Sequence, residues 1–577
     1  MRDSINAFFC FAVLATVASQ SPRLHSGGAD DRDRKGQTRT DQGPMNDFIY
    51  AGRHLSDWIG LLESDYPHVR LSAARALGEI GSEAKAAVPG LIRLLEERDE
   101  FIRSAAASSL GNIGPEAASA IPAMVKALKA SDYFHQGIIT PAIAGVGPAS
   151  IPALIDLLKT TPGLRWEVIN VLSQKGPEAK AAVPCLTELL SDKEAKVREE
   201  AAFALCKLTG RRDTIEIIIQ CLNDPDDFAR INAVDHLGHI GADVAVVAIP
   251  ALVRALNDES DAVRNRAAEA LGRISSGAEN SVPDLLRASG TVRLGMFRDS
   301  VVKAITGIGQ DATPMLLNGL KDRDGYVRRT AAEALGVLGP GKTLAAIPGL
   351  TEMTDEMDAE NRLTAAMALW RIHRDERSVP IIVQALRNDN FIVRSFALQC
   401  LYKIGPDAKF AVPALIDMLK DGNQFLRSDA AKTLGKIGPD AAGAAVPALK
   451  SALRDQDLRT RVASALALWQ IARDQTVVST LMKELQHSED RMRWTILTAL
   501  GEIGPEAQSA VPRLIEVLRN DPDNQYKVVV TLAKIGPAAK AALPALIEAF
   551  NDEAALHRKE IAAAIKAIEP VLAPDTR

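Results

Sequence analysis

Aromatic residues are scarce in this chain: Phe, Trp and Tyr make up 4 % of its 577 residues. That leaves too few large rings to fill a series of conventional globular cores. Yet 47 % of the residues are apolar, so the interior must be built from Ala, Leu, Ile and Val, small enough for helices to approach closely. Charge of one sign is also lacking. The net charge is −5 and no basic run stands out, so the composition gives no general drive toward nucleic acid or anionic lipid. There is no G-x-S-x-G and no H-E-x-x-H pattern. The chain is read as having no enzymatic site, no phosphate-binding loop, no metal and no cofactor. Cysteines number five. Cys185, Cys206 and Cys400 stand where the pattern described below has a small residue, and Cys221 precedes a core Leu. Buried, inert thiols are expected. A disulfide is left open only for Cys206 and Cys221, on consecutive helices.

What the chain has instead is a phrase that returns about every 33 residues. It has the form V-R-x-x-A-A-x-A-L-G-x-I-G-P-x-A, then A-V-P-A-L-I-x-L-L. It reads Val69-Arg70 through Leu77-Gly78 early on, Val263-Arg264 through Leu271-Gly272 in the middle, and Val327-Arg328 through Leu335-Gly336 later. A period in this range means a solenoid, in which each unit buries its apolar face only against its neighbours. Length alone would suggest several domains; the repeat makes residues 47–570 one quasi-linear array. Such an array offers a long surface rather than a pocket.

Before it, an apolar stretch from Ile5 to Ala18 follows Arg2, and Thr16-Val17-Ala18 supplies small residues for cleavage. Residues 1–19 read as a secretory signal peptide, too short for a comfortable transmembrane helix. Residues 20–46 are polar and charged and read as a flexible linker. Residues 571–577 form a tail. The mature chain is expected to be exported, without a transmembrane span, and monomeric.

Within a unit, Val69, Ala73, Ala76, Leu77 and Ile80 fall at helical spacing on one stripe. Gly81 is expected to stop this first helix in the left-handed conformation, and many units follow that Gly with Pro, as at Gly114-Pro115 and Gly405-Pro406. A second helix opens with Pro in its first turn, as at Pro89, Pro122 and Pro413. Gly recurs inside the first helix at Gly78, Gly111, Gly238, Gly272, Gly336, Gly435 and Gly501, despite a cost of about 1 kcal/mol against Ala. The repetition predicts a close helix–helix approach at that slot.

This unit resembles a HEAT repeat of the short bacterial type, over roughly residues 52–570 and about sixteen units. The resemblance implies an all-α, right-handed superhelix of antiparallel helix pairs, with first helices on the convex face and second helices on the concave face. It implies little about function. HEAT-like hydroxylases use His-Glu pairs, and none of the nine histidines here is followed by Glu. The leading reading is a non-catalytic scaffold that docks a protein along the concave face. The alternatives are a chromophore- or small-ligand-binding protein, as among phycobilin lyases, and a nucleic-acid binder, as among HEAT-like DNA glycosylases; the acidic balance and the leader argue against the last.

An Arg marks nearly every unit: Arg70, Arg103, Arg198, Arg264, Arg328, Arg394, Arg427 and Arg461 among them, often with an Asp upstream such as Asp99, Asp192, Asp258, Asp324, Asp421 or Asp457. In the HEAT family such residues form a structural ladder between units, for which a bidentate guanidinium is suited. Asp235, His236 and His239 are set aside as a metal site for want of further ligands, and Asp322-Arg323-Asp324-Gly325 is read as an ordinary turn. Partner-binding candidates come from the irregular units. They are Tyr133, Phe134 and His135, in a unit that lacks the Arg and carries Pro141; Arg165 and Trp166; and Trp494, which shares the Trp166 register. Trp370 and Trp469 take the Gly slot of A-L-G and are expected in the core.

Overall fold

The computed structural model describes residues 49–50, 53–240, 245–274, 277–292, 295–487, 490–551 and 557–569. The expected leader, linker and C-terminal tail lie outside them. The array itself, within Phe48–Arg577, is an all-α solenoid of repeated helix pairs. It opens on a two-residue hairpin, Ile49–Tyr50 against Arg53–His54, and the short helix Leu55–Leu61 that covers the first full unit. The Trp58 indole N–H donates to Tyr50 O at 3.0 Å and ties the hairpin down.

Each unit follows from local rules. Many first helices start behind an extended Asp or Asn whose side chain accepts the free N–H groups of the first turn; Asp99 Oδ1 takes those of Phe101 and Ile102 at 2.8 and 3.2 Å. Asp324, Asp358, Asn390, Asn423 and Asp457 cap in the same way. The helix Pro67–Ile80 ends at Gly81, but not in the expected left-handed turn. Gly81 has φ 73° and ψ −137°, a region open only to glycine. That geometry turns the chain directly into a 3-10 segment, Gly81–Ala87, where an Ala-rich bend was expected. The second helix Val88–Leu94 then begins with Pro in its first turn.

Among the first helices that depart from this scheme, three run on. Ala195–Thr209, Ala359–His373 and Leu458–Ala472 run one residue longer and end left-handed at Gly210, Arg374 and Arg473. Arg374 and Arg473 hold positive φ without being glycine. Each lays its guanidinium over the ring four residues back, 3.9 Å from Trp370 and 5.0 Å from Trp469. Both tryptophans are buried.

Neighbouring first helices touch at the recurring glycine. A Cβ at Gly111 would stand 2.6 Å from Ala142 O, and one at Gly272 would stand 2.6 Å from Ala304 Cα. The close approach predicted from the repeat is therefore present. Gly501 is roomier: its nearest neighbour is the flexible Lys534 side chain.

The core is Ala- and Leu-rich and divides into three blocks. One runs from Leu62 to Leu208, one from Ala202 to Ile372 and one from Leu363 to Ile568. The divisions fall within two of the longer helices. Glu199 and Glu200 are buried in the first of these helices, and Asn361 and Thr364 in the second. One helical run, Gln525–Asn551, is long and apolar enough to cross a membrane by length and composition. It is the unit Gln525–Ile535, Gly536–Ala542, Leu543–Asn551, packed into the array like the others. The described cysteines, Cys185, Cys206, Cys221 and Cys400, are all buried free thiols. The disulfide left open for Cys206 and Cys221 is not formed. Burial pushes the Cys221 and Cys400 thiols up to about 12, which keeps them protonated.

Candidate partner-binding surface

The Arg register is a structural ladder built in two steps. Each guanidinium first closes the turn that precedes its own helix. Arg103, Arg198, Arg328, Arg394, Arg427 and Arg461 donate from Nη1 to the carbonyls six and five residues back, and Arg70 to Ser64 O. The other edge then pairs with a carboxylate of the next unit: Arg70 with Glu97, Arg328 with Glu356, Arg394 with Asp421, Arg427 with Asp455, Arg461 with Glu484. The partner therefore lies a unit downstream. Of the upstream acids, Asp99, Asp324 and Asp457 act as helix caps instead. The ladder is incomplete in places. Arg103 meets Ser131 in the irregular unit, and Arg264 turns to Asp261 on its own helix.

Arg427 shows the complete arrangement, two bonds of 2.8 Å to Asp455 with both side chains largely buried. Burial would raise the Asp455 carboxyl, but the bonds from Arg427 and the Asp457 N–H outweigh it and hold the group below its usual range. Arg427→Ala leaves that carboxylate with only the Asp457 N–H and takes the guanidinium donor from the Asp421 and Gly422 carbonyls. The expected cost is about 3–5 kcal/mol, read as faster amide exchange across Gln424–Ile437 and Leu458–Ala472. Unchanged exchange there sinks the ladder reading.

The partner-binding candidates separate into unlike environments. Arg165 belongs to the ladder: its Nη1 lies 2.5 Å from Asp192, and its Nε donates to Leu158 O. Trp166 is half-buried, beside Glu200. Trp494 is 46 % exposed, stacks on Tyr526 and lies 4.7 Å beneath the Lys527 ammonium. Tyr133 and Phe134 are exposed. His135 is buried, with the Phe101 and Phe134 rings edge-on at 5.1 Å on either side. Gln136 takes the ladder slot and donates to Ser131 O at 2.8 Å. Pro141 sits inside the helix Tyr133–Gly145 without breaking it. The Tyr133 and Trp494 groups lie in separate core blocks and form no common site.

Exposure brings out a pattern that spacing alone concealed. Phe101, Phe134, Phe228, Met296, Ile392 and Phe425 each stand two residues before the ladder slot. They are between 53 % and 81 % exposed. This register places them in the opening turn of the first helices, on one edge of the stack. The second helices expose mainly charge, and part of it pairs between units: Arg93 with Glu63, Lys126 with Glu96, Arg519 with Glu548.

Buried ionisable groups gather at another place. His236 Nδ1 lies 3.1 Å from Glu199 and Nε2 lies 3.6 Å from Glu200, and the imidazole stacks on Phe203 at 3.9 Å. Burial, with help from Asp224, pushes Glu199 up to about 8. Burial also raises Glu200 to about 7 against the pull of His236. The His236 ring nitrogens face opposite carboxylates, so they do not converge on one ion. His239 is exposed on its own helix, its Nδ1 2.7 Å from Asp235 O.

One motif contradicts the expectation that no phosphate-binding loop would be found. Gly336 to Thr343 matches G-x-x-x-x-G-K-[ST]. Its context is wrong for that chemistry. Gly336 lies inside the helix Gly325–Leu338 against Ala368, and no strand precedes it. Lys342 pairs with Asp311, and the Thr343 hydroxyl donates to Gly339 O.

These helix pairs, their ladder and their stacking define an α-solenoid. The family model for HEAT repeats matches residues 55–140, 121–206, 183–271, 215–293, 347–435, 407–467 and 446–529, and a single-repeat HEAT model matches 312–341. The chain belongs to the HEAT-repeat family. No curated protein matches it. Among solved structures it is similar to yeast importin-beta (Kap95p), with 15 % identity, a TM-score of 0.52, and 90 % of this chain and 78 % of that one covered. It is also similar to a chain of a Kap95:Nup1 complex, with 14 % identity, a TM-score of 0.52, and 89 % and 77 % covered. At these identities the likeness establishes the fold.

Proposed function

We propose that this chain is a non-catalytic scaffold that binds a protein through the row of exposed apolar side chains on the opening turns of its first helices. The observation that carries the reading is the register itself: Phe101, Phe134, Phe228, Met296, Ile392 and Phe425 recur at one slot, exposed, where stacking does not require them. Exposed aromatics at repeat spacing suit a partner that places apolar side chains at several points. The Kap95:Nup1 complex is an instance of a similar solenoid in complex with another protein. Docking on the concave second-helix face is the second reading, favoured by the charge exposed there.

A photo-crosslinking residue at Phe134 or at Phe425 is expected to capture one and the same protein, while one at Asp417 or Glu352 on the second helices captures none. Capture from Asp417 and Glu352 alone would replace the first-helix edge with the concave face. Export rests on the apolar leader Ile5–Ala18; a native protein that begins near residue 19 is the expected result of N-terminal sequencing. The scaffold acts as a monomer and binds no nucleic acid in this reading.

A further inference from the structure

Three ligand-type side chains converge between the first helices Glu100–Ile113 and Tyr133–Gly145. His135 Nδ1 lies 2.7 Å from Asp132 Oδ1 and 3.0 Å from Glu100 Oε2. All three donor atoms lie within 4.8 Å of one another, and both carboxylates approach the same imidazole nitrogen. Carboxylates held this close repel each other unless positive charge lies between them. We propose that Glu100, Asp132 and His135 form a binding site for a divalent transition-metal ion of the zinc class.

The geometry is near what such an ion needs. Tetrahedral zinc ligands at about 2.0–2.2 Å place neighbouring donor atoms roughly 3.3–3.6 Å apart, so the 2.7 and 3.0 Å spacings to His135 must open by roughly half an ångström to admit the ion. The donor set, one imidazole nitrogen and two carboxylate oxygens, favours zinc over calcium or magnesium. Nδ1 is the available nitrogen, because Nε2 is enclosed without a polar partner.

The carboxylates are aimed in advance. Glu100 Oε1 accepts from Arg103 Nη2 at 2.8 Å, and Arg103 is anchored on the carbonyls of Glu97 and Arg98. Asp132 Oδ1 accepts the His135 backbone N–H at 2.9 Å. Such outer contacts fix ligand orientation before an ion arrives. The Asp132 side chain is 57 % exposed, so further coordination positions open to water.

The sequence register makes the imidazole conspicuous. His135 fills the slot held by Val69, Ile102, Val197, Val263, Val327, Val393 and Leu426 in other units. Stacking needs an apolar residue there, and the unit that carries the histidine has also replaced the ladder Arg. An ion at this point would join two adjacent units and hold Phe101 and Phe134 in fixed relation, whatever those rings bind.

The test uses the tag-free full chain, stripped of metal and titrated with Zn2+ in equilibrium dialysis, with thermal melting in parallel. The variants are His135→Val, which installs the residue of the other units, and Asp132→Asn, which keeps a helix-capping side chain. Wild type is expected to bind one more equivalent of Zn2+ than either variant and to melt higher with the ion. The variants are expected to bind at least about tenfold more weakly and to lose the melting shift. Metal-free melting shows whether each variant folds, and a failure of His135→Val leaves Asp132→Asn as the deciding comparison. No binding by wild type, or equal binding by a folded variant, overturns the proposal. The cluster is then a histidine hydrogen-bonded to two carboxyl groups and nothing more.

Discussion

Gly272→Ala is expected to destabilise the array by about 1–3 kcal/mol, a typical cost of forcing extra volume into a packed interior. The added Cβ would stand 2.6 Å from Ala304 Cα and 3.1 Å from Ala304 O. Both are backbone atoms, so relief requires two helices to move apart. The gain in helix propensity, about 1 kcal/mol, does not offset that. Gly501→Ala reverses the sign. There the Cβ meets Lys534 Cδ at 3.1 Å and no backbone atom closer than 3.7 Å. The lysine can swing away, so a gain of up to about 1 kcal/mol is expected. Long repeat arrays do not unfold in one step, so the readout is amide exchange in Asp261–Ile274 and Asp490–Ile503, beside thermal melting. Equal effects of the two variants would show that close approach does not explain the recurring glycine.

Raising the pH from about 5 to about 9 is expected to weaken the units around His236 by about 2–4 kcal/mol. Each tenfold change in a group's proton affinity is worth about 1.4 kcal/mol, and the total falls short of the simple sum because the groups titrate together. Glu199 and Glu200 keep their protons to about 8 and about 7 in the folded chain, against an ordinary 4.5. Between those values the folded state binds more protons than the unfolded state. The contribution is therefore full below about 4.5 and is lost as the pH rises through 7 and 8. Asp235, Lys207, Asp224 and His236 face the same cluster. His236 is lowered by burial, so its own contribution is lost on the acid side, below 6.5. Asp258, bonded by Arg230 of the unit before, and the ladder acids Glu356 and Asp455 are held below their ordinary range and likewise lose their contribution only in acid. The double variant Glu199→Gln/Glu200→Gln is expected to abolish the loss at alkaline pH. Parallel stability curves for variant and wild type would refute this.

Most of the fold was legible because its causes are local and recur. Pro89 and its counterparts mark the second helices, and Gly272 and its counterparts mark the helix contacts, without any knowledge of distant pairing. The misses lie between units. Arg427 meets Asp455, twenty-eight residues on, and nothing in one copy of the phrase identifies that partner. The opening-turn position of Phe101 and Phe425 could have been read by aligning the copies two residues before the Arg. In a single helix, however, an apolar residue there passes for part of the core stripe. His135 was noticed for its irregular unit, but its slot is a core slot, and burial turns the side chain away from solvent and toward Glu100 and Asp132. His236 occupies an Ala slot, so it reaches across into the unit before.

The division of the core into three blocks has a mechanical consequence. Load applied along the stack passes through dense apolar segments in series. At the two divisions the shared helices carry buried polar groups beside their apolar ones, Glu199 and Glu200 at one, Asn361 and Thr364 at the other, and these are the expected weak points. Hydrogen bonds lose their strength over shorter displacements than broad apolar contact does, so bending and stretching concentrate at these two joints. Curvature changes within one segment need not reach the next, and the segments bearing Phe134 and Phe425, on opposite sides of both joints, can adjust to a bound surface independently.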